Sequence, residues 1–227
     1  MAVQPPPPRA RLRRTVAALA LGVLAPALTV AATTPARAAA PEAAPESARA
    51  AQAAPVRPAA GSATDLAGTS RKLGITMQQQ QNTNWCWAAS GNTIATWFGY
   101  GYSQNQFCNA AFGRSADSAC PNSQATLGDV QNGLSRIGIN PGSYVTGYLR
   151  YATVQGEVNA DRPVETRIQW SSGGGHMHVL YGYDTAANWV YWGDPWPSNY
   201  RYNWADYSYY VSNGSFSWTH SLYRIGA

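Results

Sequence analysis

The residue of this chain best suited to covalent chemistry is a single cysteine between two tryptophans. Cys86 lies between Trp85 and Trp87 at the predicted start of a helix, just after Asn84, a residue type that often caps helices. The unpaired N–H groups and partial positive charge of a helix N-terminus favour a thiolate, the nucleophilic form of cysteine. The alternative is a buried structural cysteine, the usual role of an isolated one. Cys86 is therefore the candidate nucleophile.

A thiolate nucleophile needs a base, and the chain contains three histidines, His176, His178 and His220. The first two open a predicted strand directly after a run of three glycines, where the backbone lets a substrate approach closely. A histidine in a strand is also common as an ordinary packed residue, so its position alone does not assign the base.

The hairpin predicted after these histidines can place either one beside a carboxylate. A turn centred on Thr185 puts His176 opposite Asp194, whereas a turn centred on Ala186 puts His178 there. In both registers the imidazole and the carboxylate share one face of the sheet, close enough to hydrogen-bond. The strand pattern therefore predicts a His–Asp pair and leaves the choice of histidine open.

Two segments around these residues resemble those of papain-like cysteine proteases. Gln80 precedes Cys86 by six positions, and the run Cys-Trp-Ala-Ala-Ser then resembles the family's nucleophile segment. The segment Gly-His-Met-His-Val-Leu-Tyr-Gly-Tyr resembles the histidine strand, in which the catalytic histidine precedes a Gly-Tyr pair by six positions. That spacing, counted back from Gly182, selects His176 rather than His178.

A third motif completes the resemblance. Asp194, followed by Pro195 and Trp196, resembles the family's Asn or Asp shortly before a tryptophan. The compact size and the aspartate are most similar to the bacterial branch that includes staphopains and plant-pathogen effector proteases. The chain departs from the larger papain group in having Asp for Asn, in lacking a Cys-Gly pair before the nucleophile, and in showing no helical prodomain.

The resemblance implies a role for each of these residues. Cys86 would attack the peptide carbonyl to form an acyl-enzyme, and His176 would protonate the leaving amine. Asp194 would orient the imidazole. Gln80 and the backbone N–H of Cys86 would form the oxyanion hole, and Trp196 would shield the His–Asp hydrogen bond from water. The implied activity is endopeptidase hydrolysis of protein or peptide substrates by a monomer, without a cofactor or metal.

The elements that would position these residues follow an α+β pattern. Apolar residues recur at helical spacing from Trp85 to about Phe98, and further helices are predicted from Ser123 and around Thr153–Asn159. After Pro163 the apolar period changes to two, which predicts strands over 164–170, 176–183, 189–193, 206–211 and 216–223. We therefore expect a papain-like fold, with an N-terminal helical part that carries the nucleophile helix packed on a C-terminal antiparallel sheet.

Composition confines this fold to residues 70–227. All nine tryptophans and all fourteen tyrosines lie at or beyond Trp85, whereas the first seventy residues are dominated by Ala, Pro and Arg. Nine basic and eight acidic residues lie from residue 70 onward. Because these basic residues form no cluster, the composition argues against nucleic-acid binding.

The N-terminus is typical of an export signal. Four arginines between Arg9 and Arg14 precede an apolar stretch over 16–30 and a small-residue cleavage site ending at Ala38. We expect a signal peptide over 1–38 and an Ala/Pro-rich linker or short propeptide over 39–69. The alternative, a membrane anchor, is disfavoured by Pro26 and by the short apolar run. The predicted location is extracellular, with no stable membrane association after the signal is removed.

Export changes how the three cysteines are interpreted, because thiols oxidise outside the cell. Cys108 and Cys120 lie twelve positions apart in a segment that has the composition of a loop. The simplest pairing joins these two in a disulfide and leaves Cys86 free.

Two other functions are compatible with parts of this pattern. Transglutaminases, arylamine acetyltransferases and peptidoglycan amide hydrolases also order Cys, His and Asp, but the spacing between Gln80 and Cys86 fits a peptidase better. A non-catalytic wall-binding or carbohydrate-binding module would explain the aromatic stretch from Trp189 to Tyr210. Sheet core and ordinary strand propensity explain the same aromatics, and we favour that interpretation.

Overall fold

The computed structural model describes residues 70–227, so the predicted signal peptide and the linker lie outside the described residues. Within this range the chain forms five helices: α1 (Cys86–Trp97), α2 (Gln104–Phe112), α3 (Leu127–Arg136), α4 (Tyr151–Asn159) and α5 (Tyr207–Val211). The strands of the same range are β1 (Ser70–Lys72), β2 (Ser143–Thr146), β3 (Val164–Trp170), β4 (Gly175–Asp184), β5 (Trp189–Gly193), β6 (Tyr202–Asp206) and β7 (Phe216–Tyr223). None of the helices in this part of the chain is long and apolar enough to span a bilayer.

All seven strands belong to one antiparallel sheet in the order β2-β7-β3-β4-β5-β6, with β1 paired to the far end of β4. Strand β4 is central, because β3 flanks its first half and β1 its last residues while β5 runs along its other side. Residues 175–178, at the beginning of β4, pair with β3 but not with β5. The site lies at this end of the strand.

The two faces of the sheet bury different cores. On one face, alternate residues of β4 such as Met177 and Val179 pack against helix α1, which in turn packs on α2 and α3; this core includes Trp87, Ile94 and Phe107. We call this the helix-side core. On the other face lies an aromatic core, built mainly from Trp170, Trp192, Tyr210, Phe216 and Trp218.

The α+β architecture predicted from the sequence is confirmed. The nucleophile helix spans Cys86–Trp97, and the strands predicted over 164–170, 189–193 and 216–223 have those bounds in the structure. The aromatic stretch is divided: Trp192 and Tyr210 are buried in the aromatic core, whereas Tyr200, Tyr202 and Trp204 are exposed.

The helix predicted from Ser123 begins four residues later. Thr126 accepts a hydrogen bond from the backbone N–H of Asp129, and the Asp129 side chain accepts one from the N–H of Thr126. This reciprocal pair satisfies two N–H groups that have no partner within the helix, so it fixes the start of α3 at Leu127.

The loop expected around Cys108 is wrong, because Cys108 lies inside helix α2. Ser103 and Gln106 form a capping box at the start of this helix, and Gly113 ends it with a φ of 66°. The apolar face of α2 is short and its composition is polar, so helical periodicity does not predict it.

The strand predicted over 206–211 is also wrong. The side chain of Asp206 accepts a hydrogen bond from the backbone N–H of Ser208, which ends β6 and starts α5. Tyrosine and valine favour strands when their side chains can pack on a neighbouring strand. Here the hydrogen bond to the Asp206 side chain favours a helical turn instead.

Candidate active site

Cys86 is the first residue of α1 and lies partly exposed in a cleft between that helix and the start of β4. The N-cap residue is Trp85, and no side chain of the described residues caps the helix. Asn84, which the sequence suggested as the cap, instead bonds Asn122 through both its backbone and its side chain. The first N–H groups of α1 are therefore left without side-chain partners beside the thiol.

The opposite wall of the cleft carries a buried pair. The Nε2 atom of His176 lies 2.8 Å from Oδ1 of Asp194, and both side chains are almost fully buried. The same carboxylate accepts hydrogen bonds at 2.8 Å from the backbone N–H of Trp196 and from the side-chain amide of Asn199. Three donors thus fix the carboxylate, and the carboxylate in turn fixes the ring of His176.

His178 lies beneath this pair and faces the aromatic core. Its Nε2 atom is 3.4 Å from Oδ2 of Asp194, but the two atoms do not form a hydrogen bond. Its Nδ1 atom is 3.2 Å from the hydroxyl of Tyr210, which itself lies 2.7 Å from the hydroxyl of Thr166. His178 therefore supports the site from below, and the residues that line the cleft include His176 but neither His178 nor His220.

The register of the β4–β5 hairpin explains how both histidines reach one carboxylate. Near the turn, Asp184 pairs with Trp189, but beyond an irregularity around Tyr181 the pairing shifts by one residue. Continued to the end of the hairpin, the shifted register sets His178 opposite Asp194, as a turn centred on Ala186 predicted. The register centred on Thr185 does not form. His176 shares a face of the sheet with His178, so it reaches the same carboxylate diagonally.

Burial and charge act in opposite directions on this cluster. Burial alone lowers the pKa of His176, but the Asp194 carboxylate and the Cys86 sulfur outweigh it and raise that pKa to about 10. Burial likewise raises the pKa of Asp194, but the two imidazoles outweigh it and hold that pKa well below its usual range. His178 differs, because its burial outweighs the attraction of Asp194 and lowers its pKa. The pattern at neutral pH is a charged His176, an ionised Asp194 and a neutral His178.

Gln80 is buried next to the nucleophile loop, but its amide is already occupied. Its Nε2 atom donates to the carbonyls of Asn82 and Thr83, both at 2.9 Å, and its backbone N–H donates to the carbonyl of Pro195. Its Oε1 atom is buried without a hydrogen-bond partner among the described residues. An oxyanion would therefore have to replace one of the two carbonyls to receive a hydrogen bond from this side chain.

Two tryptophans enclose the His176 ring. The ring of Trp196 meets it edge-on, with centroids 6.0 Å apart, and Trp170 stacks at 6.1 Å. The sequence pointed to Trp196 and missed Trp170, which gave no signal beyond its place at the end of a predicted strand. Both rings therefore lie against the His176 imidazole, whose side chain is 5% exposed.

Comparison with known proteins decides the family. The sequence profile of the family described as papain-like cysteine protease AvrRpt2 (Peptidase C70) matches residues 69–211. The chain belongs to this family. The AvrRpt2 family match spans α1, β4 and β5, and it makes this protein a papain-like cysteine protease and thus a hydrolase.

Solved structures and curated proteins add less. The peptidase domain of Streptococcus ComA, described as a bifunctional ABC transporter involved in a quorum-sensing pathway, is similar with a TM-score of 0.48 at 16% identity. That likeness covers 66% of this chain and 97% of the ComA domain. Xylellain, a cysteine protease from Xylella fastidiosa, gives a TM-score of 0.42 at 10% identity over 67% of this chain and 85% of its own. No curated protein matches the sequence.

Two charged residues of this AvrRpt2-family site were missed in the sequence. Arg167, on β3, lines the cleft together with Cys86 and His176. Glu165, two residues before it, is fully buried, and neither of its carboxylate oxygens has a hydrogen-bond partner among the described residues. Burial and the neighbouring Cys86 raise the pKa of Glu165 well above its usual range, so this side chain is neutral. Two charged residues within a predicted strand are the sequence feature that could have indicated these positions.

The side chains of His176, His178 and Asp194 also have the types and closeness of metal ligands, since one ligand atom from each lies within 4.8 Å of the others. The carboxylate of Asp194 accepts three hydrogen bonds, one of them from His176, and Nδ1 of His178 bonds Tyr210. Nε2 of His178 is buried without a hydrogen-bond partner among the described residues.

Proposed function

We propose that this protein is a secreted endopeptidase that cleaves peptide bonds through Cys86, His176 and Asp194 by way of an acyl-enzyme. The observation that carries the proposal is the meeting of two elements at one cleft. One is the helix N-terminus that bears a free thiol, and the other is a buried imidazole that is hydrogen-bonded to a carboxylate and electrostatically coupled to that thiol.

The first half-reaction uses the charge on His176. A thiolate at Cys86 attacks the carbonyl carbon of the substrate, forming a C–S bond and an oxyanion. In this proposal the N–H groups at the start of α1, which have no side-chain cap, donate to that oxyanion. As the C–N bond breaks, the His176 imidazolium gives its proton to the departing amine, and the acyl group stays on Cys86.

The second half-reaction reverses these roles. Neutral His176 takes a proton from a water molecule, whose oxygen attacks the thioester and releases the acid product and the Cys86 thiolate. Asp194 remains ionised throughout, because the three donors around its carboxylate stabilise the charged form. Its task is to hold the imidazole ring in one orientation.

Gln80 completes this proposal as a second oxyanion donor. Its side chain is buried next to the loop that leads into α1, and its bonds to Asn82 and Thr83 fix that loop. A developing oxyanion is a stronger acceptor than a peptide carbonyl, so it favours exchange of one of these bonds in the transition state.

Secretion is supported by two independent features. The N-terminal sequence has the basic, apolar and small-residue order of an export signal. The folded part contains a disulfide between Cys108 and Cys120 and leaves Cys86 as a free thiol. Structural disulfides persist in oxidising compartments outside the cytosol, where the substrates would be other proteins or peptides.

A comparison of the wild type with Cys86→Ala tests this function. Both proteins are incubated with a mixed peptide library, and the products are sequenced by mass spectrometry. We expect cleavage by the wild type only, with equal melting temperatures, because Cys86 is partly exposed and the substitution opens no core cavity.

Two results would count against the proposal. Hydrolysis by Cys86→Ala within tenfold of the wild type would remove Cys86 as the nucleophile. Products in which an acyl group has moved to an added amine, without free acid, would assign acyl transfer in place of hydrolysis.

A further inference from the structure

An arginine side chain forms part of the wall of the cleft that holds Cys86 and His176. Arg167 is the central residue of β3, and its side chain is half-buried. It lines the cleft with Gly175, the first residue of β4. Arginine carries a positive charge at any working pH, so this wall of the cleft is cationic.

The position of the guanidinium depends on a missing side chain. A Cβ atom added to Gly175 would lie 2.5 Å from an Nη atom of Arg167 and 2.7 Å from its Cζ. No side chain fits there without moving the guanidinium. The glycine therefore lets Arg167 lie across the start of β4, next to His176.

The hydrogen-bond partners of Arg167 are neutral. One Nη atom donates to the hydroxyl of Thr219 at 2.9 Å, and the other donates to the side-chain carbonyl of Gln169 at 3.1 Å. Among residues 70–227, the ion pairs involve Arg71, Arg162 and the two histidines beside Asp194, and none involves Arg167. The guanidinium is held in place, but its charge is not neutralised.

The surroundings leave that charge available to a ligand. Glu165 faces the same side of β3, but its burial keeps it protonated. Burial and the charge of Arg167 lower the pKa of His220, so His220 adds no positive charge of its own at neutral pH. Ionisable side chains lining the cleft are Cys86, Arg167 and His176. Since the charge of His176 is offset by the carboxylate of Asp194, with which it pairs at 2.8 Å, Arg167 sets the net charge of the cleft.

We infer that Arg167 makes this protease select substrates with an aspartate or glutamate side chain within three residues of the cleaved bond. A carboxylate matches the planar guanidinium and can take two of its N–H groups. The two neutral partners hold the guanidinium in advance, so little side-chain freedom is lost on binding. This inference rests on the proposed peptidase function and adds the class of substrate to it.

The test begins with wild-type cleavage of the peptide library to find the position at which acidic residues are enriched. Matched peptides then carry Asp or Asn, and Glu or Gln, at that position. We expect kcat/KM to be about tenfold higher for the acidic member, and we expect added salt to reduce this ratio. Salt sensitivity separates recognition of charge from recognition of shape.

Variants assign the preference to one residue. In Arg167→Gln the ratio of acidic to neutral kcat/KM should fall to about one, while Arg167→Lys should keep a reduced preference because it retains the charge. Arg150→Gln is the matched control, since Arg150 is exposed and does not line the cleft. The ratio for this control should equal that of the wild type. Melting temperatures show whether each variant is folded.

The outcomes separate the inference from the function on which it rests. Hydrolysis by the wild type without an acidic preference, or a preference that persists in Arg167→Gln, overturns the role of Arg167 and leaves the peptidase function intact. If the wild type hydrolyses no peptide, the function is wrong, and the role of Arg167 is then decided by alkylation. Peptides that carry a chloromethyl ketone and either Asp or Asn should label Cys86 at different rates, and equal rates overturn the inference.

Discussion

The helical region and the sheet region bring their functional groups to one cleft by different kinds of constraint. Cys86 is positioned locally, because it is the first residue of α1 and the helix itself aims the thiol. His176 and Asp194 lie eighteen positions apart and meet only through the pairing of β4 with β5. They also rest on the aromatic core on the far face of the sheet.

This difference predicts how the two regions respond to substitution. A change at the thiol removes a reactive atom and leaves the helix as it was. Changes in the sheet region act on an orientation as well as on an atom, because Asp194 bonds His176 and also contacts His178, which bonds Tyr210. The following predictions test this contrast, starting with the largest expected effect.

The sharpest test of the sheet region compares its two neighbouring histidines. His176→Ala should lower kcat/KM by at least about 10²-fold, because it removes the proton donor and acceptor beside Cys86. It should also slow alkylation of Cys86 at neutral pH, since the charged imidazole beside the thiol is lost. Steady-state kinetics and the rate of iodoacetamide labelling measure the two effects.

His178→Gln is the matched variant in that comparison. Glutamine can keep a hydrogen bond to Tyr210, and His178 is neutral and does not line the cleft. We expect kcat/KM within a few-fold of the wild type and an unchanged rate of labelling. The reverse result, with His178 essential and His176 dispensable, would move the base by two residues. If both variants are fully active, the proposed mechanism is wrong.

The next prediction concerns Gln80, which lies between the two regions. Gln80→Ala should lower kcat by about 10²-fold with a smaller change in KM, because an oxyanion donor acts mainly in the transition state. Gln81→Ala is the control, since Gln81 is exposed and its backbone, rather than its side chain, bonds Gln104.

The structure also gives Gln80 a second task, because its amide braces the carbonyls of Asn82 and Thr83. A variant that loses stability and raises KM, with kcat little changed, would show that the brace is its whole role. Equal losses for Gln80→Ala and Gln81→Ala would show that the six-residue spacing to Cys86 selects nothing.

The helical region was the easier one to predict from the sequence where its apolar period is clear. The period of α1 from Trp87 to Ile94 shows directly in the residues, and so do the ends of β3, β5 and β7. Helix α2 was missed because its apolar face is short, although the pair Ser103 and Gln106 has the spacing of a capping box. This capping pair, rather than an apolar period, is the sequence signal of the helix.

The sheet region was harder because its site depends on register. Residue types predicted a His–Asp pair, but the shift in pairing near Tyr181 has no local sequence signal. The spacing of the family motif, and not the hairpin itself, selected His176. Arg167 and Glu165 were missed for a related reason. The strands that pair with β3 determine which of its charged side chains face the cleft, and Gly175 leaves the space for Arg167. These residues are distant in the chain or separated from β3 by a turn.

The smallest expected effect on catalysis comes from the disulfide of the helical region. Replacing both Cys108 and Cys120 by serine should lower the free energy of unfolding by about 3 kcal/mol, because the bridge restricts the unfolded chain. For a domain of this size the melting temperature should fall by about 6–12 °C. Differential scanning calorimetry of the two proteins measures the change.

The effect on activity should be small but not zero, which makes this variant informative about the helical region. The loop after Cys120 accepts hydrogen bonds from the indoles on either side of the nucleophile: Trp85 donates to Pro121 and Trp87 to Ser123. The side chain of Asn105 still holds the backbone N–H of Cys120 at 2.9 Å without the bridge. We therefore expect kcat/KM within about threefold of the wild type below the melting transition.

A reductant should lower the melting temperature of the wild type and leave that of the double serine variant unchanged. If activity instead falls as far as in Gln80→Ala while the protein remains folded, the thiol is not positioned by its helix alone, and the contrast between the two regions fails.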